Sequence, residues 1–273
     1  MEVTHKHKHN PKYRGRIAPT PSGYLHQGHA RTFRVAWQRA RDAGGVLVFR
    51  NDDLDADRCR PEFTKAAIED LRSLGLDWDE GPDVGGTYGP YNQSERHEHY
   101  LAAWQKLKEA GMIYPCSSSR SEIKAFNQKS IDGNEFLFPP QLLPKETELR
   151  LPEEPGNANW RFRTDASEEI SFMDRNLGVQ KFKIGEDLSD FIIWRKNGYP
   201  SYELATVVDE INMCITEIVR GKDLLKSSAR QNLIFSALGK TPPAFFHCEI
   251  MMDEKGRKLS KSKRSLPRLS FPS

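Results

Sequence analysis

The chain has 273 residues, with 41 Lys plus Arg against 38 Asp plus Glu and a hydrophobic share of 37 %. That length and apolar content support one large or two modest folded domains and exclude wholesale disorder. The formal charge of +3 conceals a split: residues 1–16 carry five bases, residues 255–273 carry seven and no acid, and the stretch between holds 29 bases against 37 acids. Basic ends on an acidic middle point to a local phosphate or nucleic-acid contact rather than a uniformly basic coat.

In chain order, Arg16 to Ala18 reads as a short strand that stops at the turn chemistry of Pro19, Pro21 and Gly23. Ala30, Phe33, Trp37 and Ala40 then recur at helical spacing, and Gly44-Gly45 supply the stop. The run GVLVFR, residues 45–50, has the pattern of a strand buried on both faces. A second helix is expected from Pro61, burying Phe63, Ala67, Leu71 and Leu74 and ending at Gly75; a third from Ser94, presenting Tyr100, Trp104 and Leu107 and ending at Gly111. Strand–helix alternation argues for a parallel sheet with helices on its faces. Residues 127–159 hold five prolines and little periodicity, which predicts a long loop in an inserted segment. Strands are predicted again at 160–163, 190–194 and 205–208, and a helix at 228–238.

The apolar runs are far too short to span a bilayer, and MEVTHKHKHNPKYRGR lacks the apolar stretch of a secretory signal. Cys59, Cys116, Cys214 and Cys248 form no CxxC pair, so the expected setting is a reducing cytoplasm without a disulfide framework.

Two segments carry phosphate chemistry. In PTPSGYLHQGHAR, residues 19–31, a strand end and a Gly/Ser/Pro turn place His26 and His29 at the mouth of a helix, beside unpaired backbone N–H groups and the positive end of the helix dipole. Both imidazoles can then hydrogen-bond one phosphoryl group, and Gly28 lets a nucleotide lie close to the backbone. In GRKLSKS, residues 256–262, Lys258, Lys261, Ser260 and Ser262 offer two ammonium groups and two hydroxyls to a polyphosphate.

HQGH and KLSKS resemble the HIGH and KMSKS signatures of the class I aminoacyl-tRNA synthetases. RIAPTPSGYLHQGHAR, FRNDDLDADR, YNQSERHEHY, SDFIIWRKNGYPSYELATVVDE and ITEIVRGKDLL narrow the resemblance to the glutamyl-tRNA synthetase catalytic domain, over about Arg14 to Ser262. The resemblance implies a Rossmann-like α/β domain interrupted by an acceptor-end-type subdomain, with glutamate adenylation from ATP and Mg2+. A boundary set follows: a basic tail at 1–13, the first catalytic half at 14–112, the insertion at 113–189, the second half at 190–250, and the KLSKS loop with a short tail at 251–273. Only eleven residues follow the loop, so no anticodon-binding domain is expected, and the short relatives of this kind are glutamyl-Q tRNA(Asp) synthetases. Those activate glutamate without tRNA and transfer it to the queuosine base of tRNA(Asp). The expected partners are thus L-glutamate, ATP and a tRNA, in the first place tRNA(Asp), with the protein acting as a monomer away from membranes. A truncated glutamyl-tRNA synthetase charging a 3′ end and a catalytically impaired tRNA-binding paralogue are the competing readings.

By the same resemblance Arg16, Thr20, Asp52, Tyr202 and Arg220 bind glutamate, Arg220 meeting the side-chain carboxylate and Asp52 the ammonium. The alternative for Arg220 is an internal ion pair with Glu217 or Asp223. Asp52 stands where relatives carry a glutamate, and Asp53 and Asp55 either share its task or cap the helix that follows. His26, His29, Lys258 and Lys261 are expected to stabilise the α-phosphate and departing pyrophosphate, and Gly28, Ser260 and Ser262 to contact ATP. Many short relatives hold a structural zinc with CxC, Tyr and a distal Cys; Tyr114-Pro115-Cys116-Ser117-Ser118 keeps one thiol, so no zinc is expected.

Overall fold

The computed structural model describes residues 12–144 and 151–251. Strands β1 (Arg14–Ile17) and β2 (Val46–Phe49) pair in parallel through the helix α1 (Gln27–Asp42). The buried stripe of α1 is Ala30, Phe33, Ala36 and Ala40, while Trp37 lies at its margin and donates to Asp77. Helix α2 (Pro61–Ser73) buries Ala67 and Leu71 and stops before Gly75, whose φ of 75° suits a residue without a Cβ. Its first turn has Pro61 but no side-chain cap, so Asp53 and Asp55 do not cap it. Asp53 instead accepts from the backbone N–H and hydroxyl of Ser94, and Asp55 pairs with Arg58. That bond holds Ser94 in a 3-10 turn, and α3 (His97–Glu109) begins three residues later than its periodicity predicts.

Next come β3 (Ile113–Cys116), the short α4 (Arg120–Ala125), β4 (Asn159–Phe162), the hairpin of β5 (Glu169–Asp174) and β6 (Gly178–Lys183), and β7 (Phe191–Trp194). β3, β4 and β7 form an antiparallel sheet. The sequence at 205–208, expected as a strand, lies inside helix α5 (Tyr202–Asn212). Its run of Ala, Thr and two Val reads as β because nearly every face of α5 is buried, which erases the polar side that normally announces a helix. The hydroxyl of Ser201 caps it, accepting from the N–H of Leu204 at 3.3 Å. Ser201→Ala is expected to cost about 1 kcal/mol, read as a fall of roughly 2–4 °C in Tm; an unchanged melting curve would count against this cap.

β8 (Glu217–Gly221), α6 (Leu225–Ala237) and β9 (Ala244–Cys248) complete the chain order. β8 and β9 are parallel, and β9 takes the β5–β6 hairpin on its other edge through the single pair Asp174 and Phe245. Arg14 and Thr216 stitch β1 to the start of β8 by two hydrogen bonds of 2.9 Å. The result is a Rossmann-like core in which the parallel pair β1–β2 lies beside the parallel pair β8–β9, with α1 packed over β1, β8 and β2. One apolar cluster lies among α1, α2, β1 and β2; the larger lies among α3, β4, β7, α5 and α6, around Trp104, Trp160 and Trp194. Among the described residues no helix is long and apolar enough to cross a membrane.

Candidate active site

The carboxyl ends of β1 and β8 and the amino end of α1 open onto a cleft of about 330 Å³. Arg16, Thr20, His26, Gly28, His29, Asp52, Tyr202 and Arg220, eight side chains or backbone positions named from sequence, all line it. Lys258, Ser260, Lys261 and Ser262 lie outside the described residues.

His26 is not on the first turn of α1 but is its N-cap, and His29 is the third helical residue. Each ring Nδ1 accepts the backbone N–H of the other residue, at 3.3 and 3.4 Å, so the two imidazoles form a reciprocal capping box. The rings stack with centroids 3.7 Å apart. Because both Nδ1 atoms are acceptors, each neutral ring carries its proton on Nε2, a donor at the positive end of the helix. A Cβ on Gly28 would lie 3.0 Å from the His26 ring, so a side chain there would crowd the imidazole and require it to shift.

Arg16 and Arg220 are 4 % exposed. Arg16 gives Nε to Glu210 at 2.8 Å and Nη1 to the carbonyl of Val219. Arg220 differs, because its hydrogen-bond partners are neutral: Ser228 Oγ at 2.6 Å, Gln231 Oε1 at 2.8 Å, His247 Nε2 at 3.3 Å and Tyr202 Oη at 3.4 Å. The ion pairs with Glu217 or Asp223 considered from sequence are replaced by these contacts; Glu217 is instead bound by Tyr13, Arg39 and Arg175. Burial, with a smaller push from the Arg16 cation, holds the Arg220 guanidinium below its ordinary value. A buried cation with neutral neighbours is a socket for an anion.

Asp52 is buried and bonded to Arg50 Nε at 2.6 Å. Burial outweighs the Arg50 cation and pushes its carboxyl up to about 6. Behind it, Arg50 also faces Asp209 and Glu210 at 3.6 and 3.3 Å, and Asp209 accepts from Arg96, Gln93 and Tyr100. Sequence reading missed this network: FRNDD announces acids, but nothing local shows that α5 supplies two more carboxylates to the same place.

A second, larger cleft of about 1060 Å³ adjoins the first through Thr20, Asp52 and Tyr202. Seven cations, Arg58, Arg120, Lys124, Arg161, Arg195, Lys196 and Arg230, line it together with the carboxylates of Asp52, Asp55, Glu135, Asp190 and Glu203, and Arg58 and Arg230 are paired with Asp55 and Glu135. Cys116 accepts from Arg161 Nε at 3.3 Å, and among the described residues no three His, Cys, Asp or Glu side chains are grouped to hold a metal ion.

The family model for class I tRNA synthetases (E and Q), catalytic domain, matches residues 12–270. A glutamyl-Q tRNA(Asp) synthetase of Symbiobacterium thermophilum is 44 % identical over 257 residues, which cover 90 % of this chain and 77 % of that protein. One from Nitratidesulfovibrio vulgaris is 39 % identical, with 93 % and 79 % covered. A glutamate–tRNA ligase of Symbiobacterium thermophilum is equally 39 % identical, but the chain spans 52 % of its length. The crystal structure of glutamate-tRNA synthetase from Elizabethkingia anophelis superposes with a TM-score of 0.78 at 30 % identity, covering 91 % of this chain and 52 % of that one. With its parallel core, its paired histidines at the head of α1 and these relatives, the chain belongs to the class I glutamyl/glutaminyl tRNA synthetase family and is a ligase of the aminoacyl-tRNA synthetase type.

Proposed function

We propose that the protein joins L-glutamate to AMP at the expense of ATP and passes the glutamyl group to the queuosine base of tRNA(Asp). The observation that carries the first step is Arg220, a buried guanidinium with neutral partners at the floor of the cleft, fitted to the side-chain carboxylate of glutamate. Arg16, Thr20 and Tyr202 frame the same molecule, and Asp52 receives its ammonium. The α-carboxylate, ionised at neutral pH, attacks the α-phosphorus of ATP without a general base and displaces pyrophosphate. His26 and His29 donate from Nε2 to the phosphoryl oxygens as charge builds, with Gly28 under the nucleotide. Lys258, Lys261, Ser260 and Ser262 are assigned to the polyphosphate on the strength of their motif. Mg2+ would come with the ATP phosphates and would need at most one or two protein carboxylates; Asp223 of the cleft wall would help hold it, whereas Glu249 is paired with Lys222.

The choice of acceptor rests on the two relatives named glutamyl-Q tRNA(Asp) synthetase, and the larger second cleft, which shares Thr20, Asp52 and Tyr202 with the first, is where a tRNA nucleoside would approach the adenylate. Glutamate-dependent ATP–pyrophosphate exchange tests both halves. Exchange without tRNA is expected, followed by transfer of labelled glutamate, in a base-labile ester, to queuosine-containing tRNA(Asp). Strict dependence on tRNA and charging of a 3′ end would identify an ordinary glutamate–tRNA ligase, and no exchange at all would leave a tRNA-binding paralogue.

Asp52 gives the reaction a pH signature. Its carboxyl is raised, so it takes up a proton between neutrality and pH 5, and the ammonium of glutamate then loses its counter-charge. KM for glutamate is expected to rise as pH falls from 7 to 5, approaching about tenfold per unit below 6. Asp52→Asn should start with a high KM and show a flatter profile; a flat profile in the parent would remove Asp52 from the ammonium site.

A further inference from the structure

Behind Arg220, on the side away from the cleft, sits a Ser–His–Asp series that no step above employs. Arg220 and His247 are direct partners across β8 and β9. His247 Nδ1 lies 2.6 Å from Asp174 Oδ2, and its Nε2 lies 2.8 Å from Ser228 Oγ and 3.3 Å from Arg220 Nε. The order resembles a nucleophilic triad, but Ser228 is fully buried and does not line the cleft, and its oxygen accepts from Arg220 Nη2 at 2.6 Å. The serine has no access to an electrophile.

The proton positions follow from the neighbours. Asp174 Oδ1 accepts from the backbone N–H groups of Asn176 and Leu177, and Oδ2 from that of His247. These bonds and the imidazole keep the carboxyl ionised, below its usual range, in spite of burial. An ionised Asp174 at 2.6 Å requires the proton on His247 Nδ1, which leaves Nε2 as a bare lone pair. That lone pair receives the Ser228 O–H at 2.8 Å and the Arg220 Nε–H at 3.3 Å, and Ser228 Oγ in turn accepts from Arg220 Nη2, so the ring holds the guanidinium both directly and through the serine. Burial and the Arg220 cation together push the imidazole down to about 4, so it stays neutral through the physiological range.

We propose that His247 is a positioning residue for glutamate binding: its Nε2 lone pair, fixed in place by Asp174, orients the guanidinium of Arg220 without neutralising it. A carboxylate in that place would pair with Arg220 and compete with the substrate anion; a neutral acceptor holds the fork and leaves its charge for the ligand. Asp174 closes the β5 strand, so the hairpin that docks on β9 by one residue pair sets the aim of the substrate-facing arginine. This rests on the assignment of Arg220 to the glutamate carboxylate.

Two near-isosteric variants of the full chain separate the ring's two bonds. His247→Asn keeps a donor for Asp174 but has nothing at the Nε2 position; His247→Gln keeps an acceptor there and gives up the donor. In exchange assays, His247→Asn is expected to raise KM for glutamate about tenfold or more, with KM for ATP within about threefold, and His247→Gln to recover most of the loss. Equal effects of the two variants, or effects on kcat and both KM values alike, would reduce His247 to a packing residue. The ring itself is read independently by 15N NMR of histidine-labelled protein: a neutral ring protonated at Nδ1 is expected down to about pH 5. An Nε2-protonated or titrating ring overturns the proposal whatever the assay gives. A parent chain with the expected spectrum but no glutamate-dependent exchange overturns the link to glutamate through failure of the substrate assignment, not of the ring geometry.

Discussion

Arg220→Met is expected to lower kcat/KM for glutamate in pyrophosphate exchange by about 100-fold or more while leaving the melting temperature unchanged or slightly raised. Both halves come from the same observation. Losing one partner of a desolvated charge-assisted pair costs about 3–5 kcal/mol, and here the partner lost is the socket proposed for the substrate carboxylate. In the free protein the same guanidinium is a buried charge among neutral neighbours, held below its ordinary value by burial. Its removal leaves Ser228, Gln231, His247 and Tyr202 without one bond each but strands no ion. Exchange measured over a glutamate titration, beside a thermal melt, checks both. Activity within threefold of the parent would move the glutamate carboxylate elsewhere in the cleft.

Arg50→Met is expected to behave in the opposite way, with a loss of about 3–5 kcal/mol and a fall in Tm on the order of 10 °C. Arg50 is fully buried and stands within 3.6 Å of three carboxylates, those of Asp52, Asp209 and Glu210. Arg96 and Arg16 satisfy part of Asp209 and Glu210, but Asp52 has its charged hydrogen bonds from Arg50 alone among the described residues. Without the cation the Asp52 carboxyl, already raised by burial, rises further in the folded state, and Glu210 loses part of the positive charge that holds it low. A raised acid stabilises the fold fully below its unfolded value and loses that contribution as pH rises through the folded one. The deficit of the variant against the parent is therefore expected to be smaller at pH 5 than at pH 7.5, where the carboxylates are charged. Urea melts at the two pH values measure it; a deficit that grows on acidification would show that the network is not compensated as described.

Much of the site was legible because its chemistry is local. PTPSGYLHQGHAR holds a strand end, a turn and a helix start within thirteen residues, and the histidine positions follow from that spacing. What periodicity did not reveal was the helix register that makes His26 a cap, since a histidine is an uncommon N-cap and the reciprocal bond with His29 is a matter of ring rotamers. The strand expected at 205–208 failed for a different reason: seven consecutive residues of the helix, 204–210, are buried, so its middle shows no polar face to reveal its period. The networks at Arg50 and Arg220 were illegible because they join distant segments. Gln93 meets Asp209 across 116 positions, and Asp174 meets His247 across 73. FRNDD, EIVRG and FFHCE each present charges whose partners are named only when β1, β8, β9 and α5 come together.

The stitching of β1 to β8 through Arg14 and Thr216, 202 positions apart, also sets the schedule on which the enzyme comes into being. At roughly 5–20 residues per second, β1 and β2 wait about 10–40 s on the ribosome for the strand that closes the core. Through that interval β1 keeps one edge unpaired, a template for association with other nascent chains. Its sequence is RGRI, and the two arginines spaced along that edge oppose the stacking of like edges before either has met Glu80 or Glu210. Arg16, which later lines the cleft, thus serves first, beside Arg14, as a guard of an unfinished sheet.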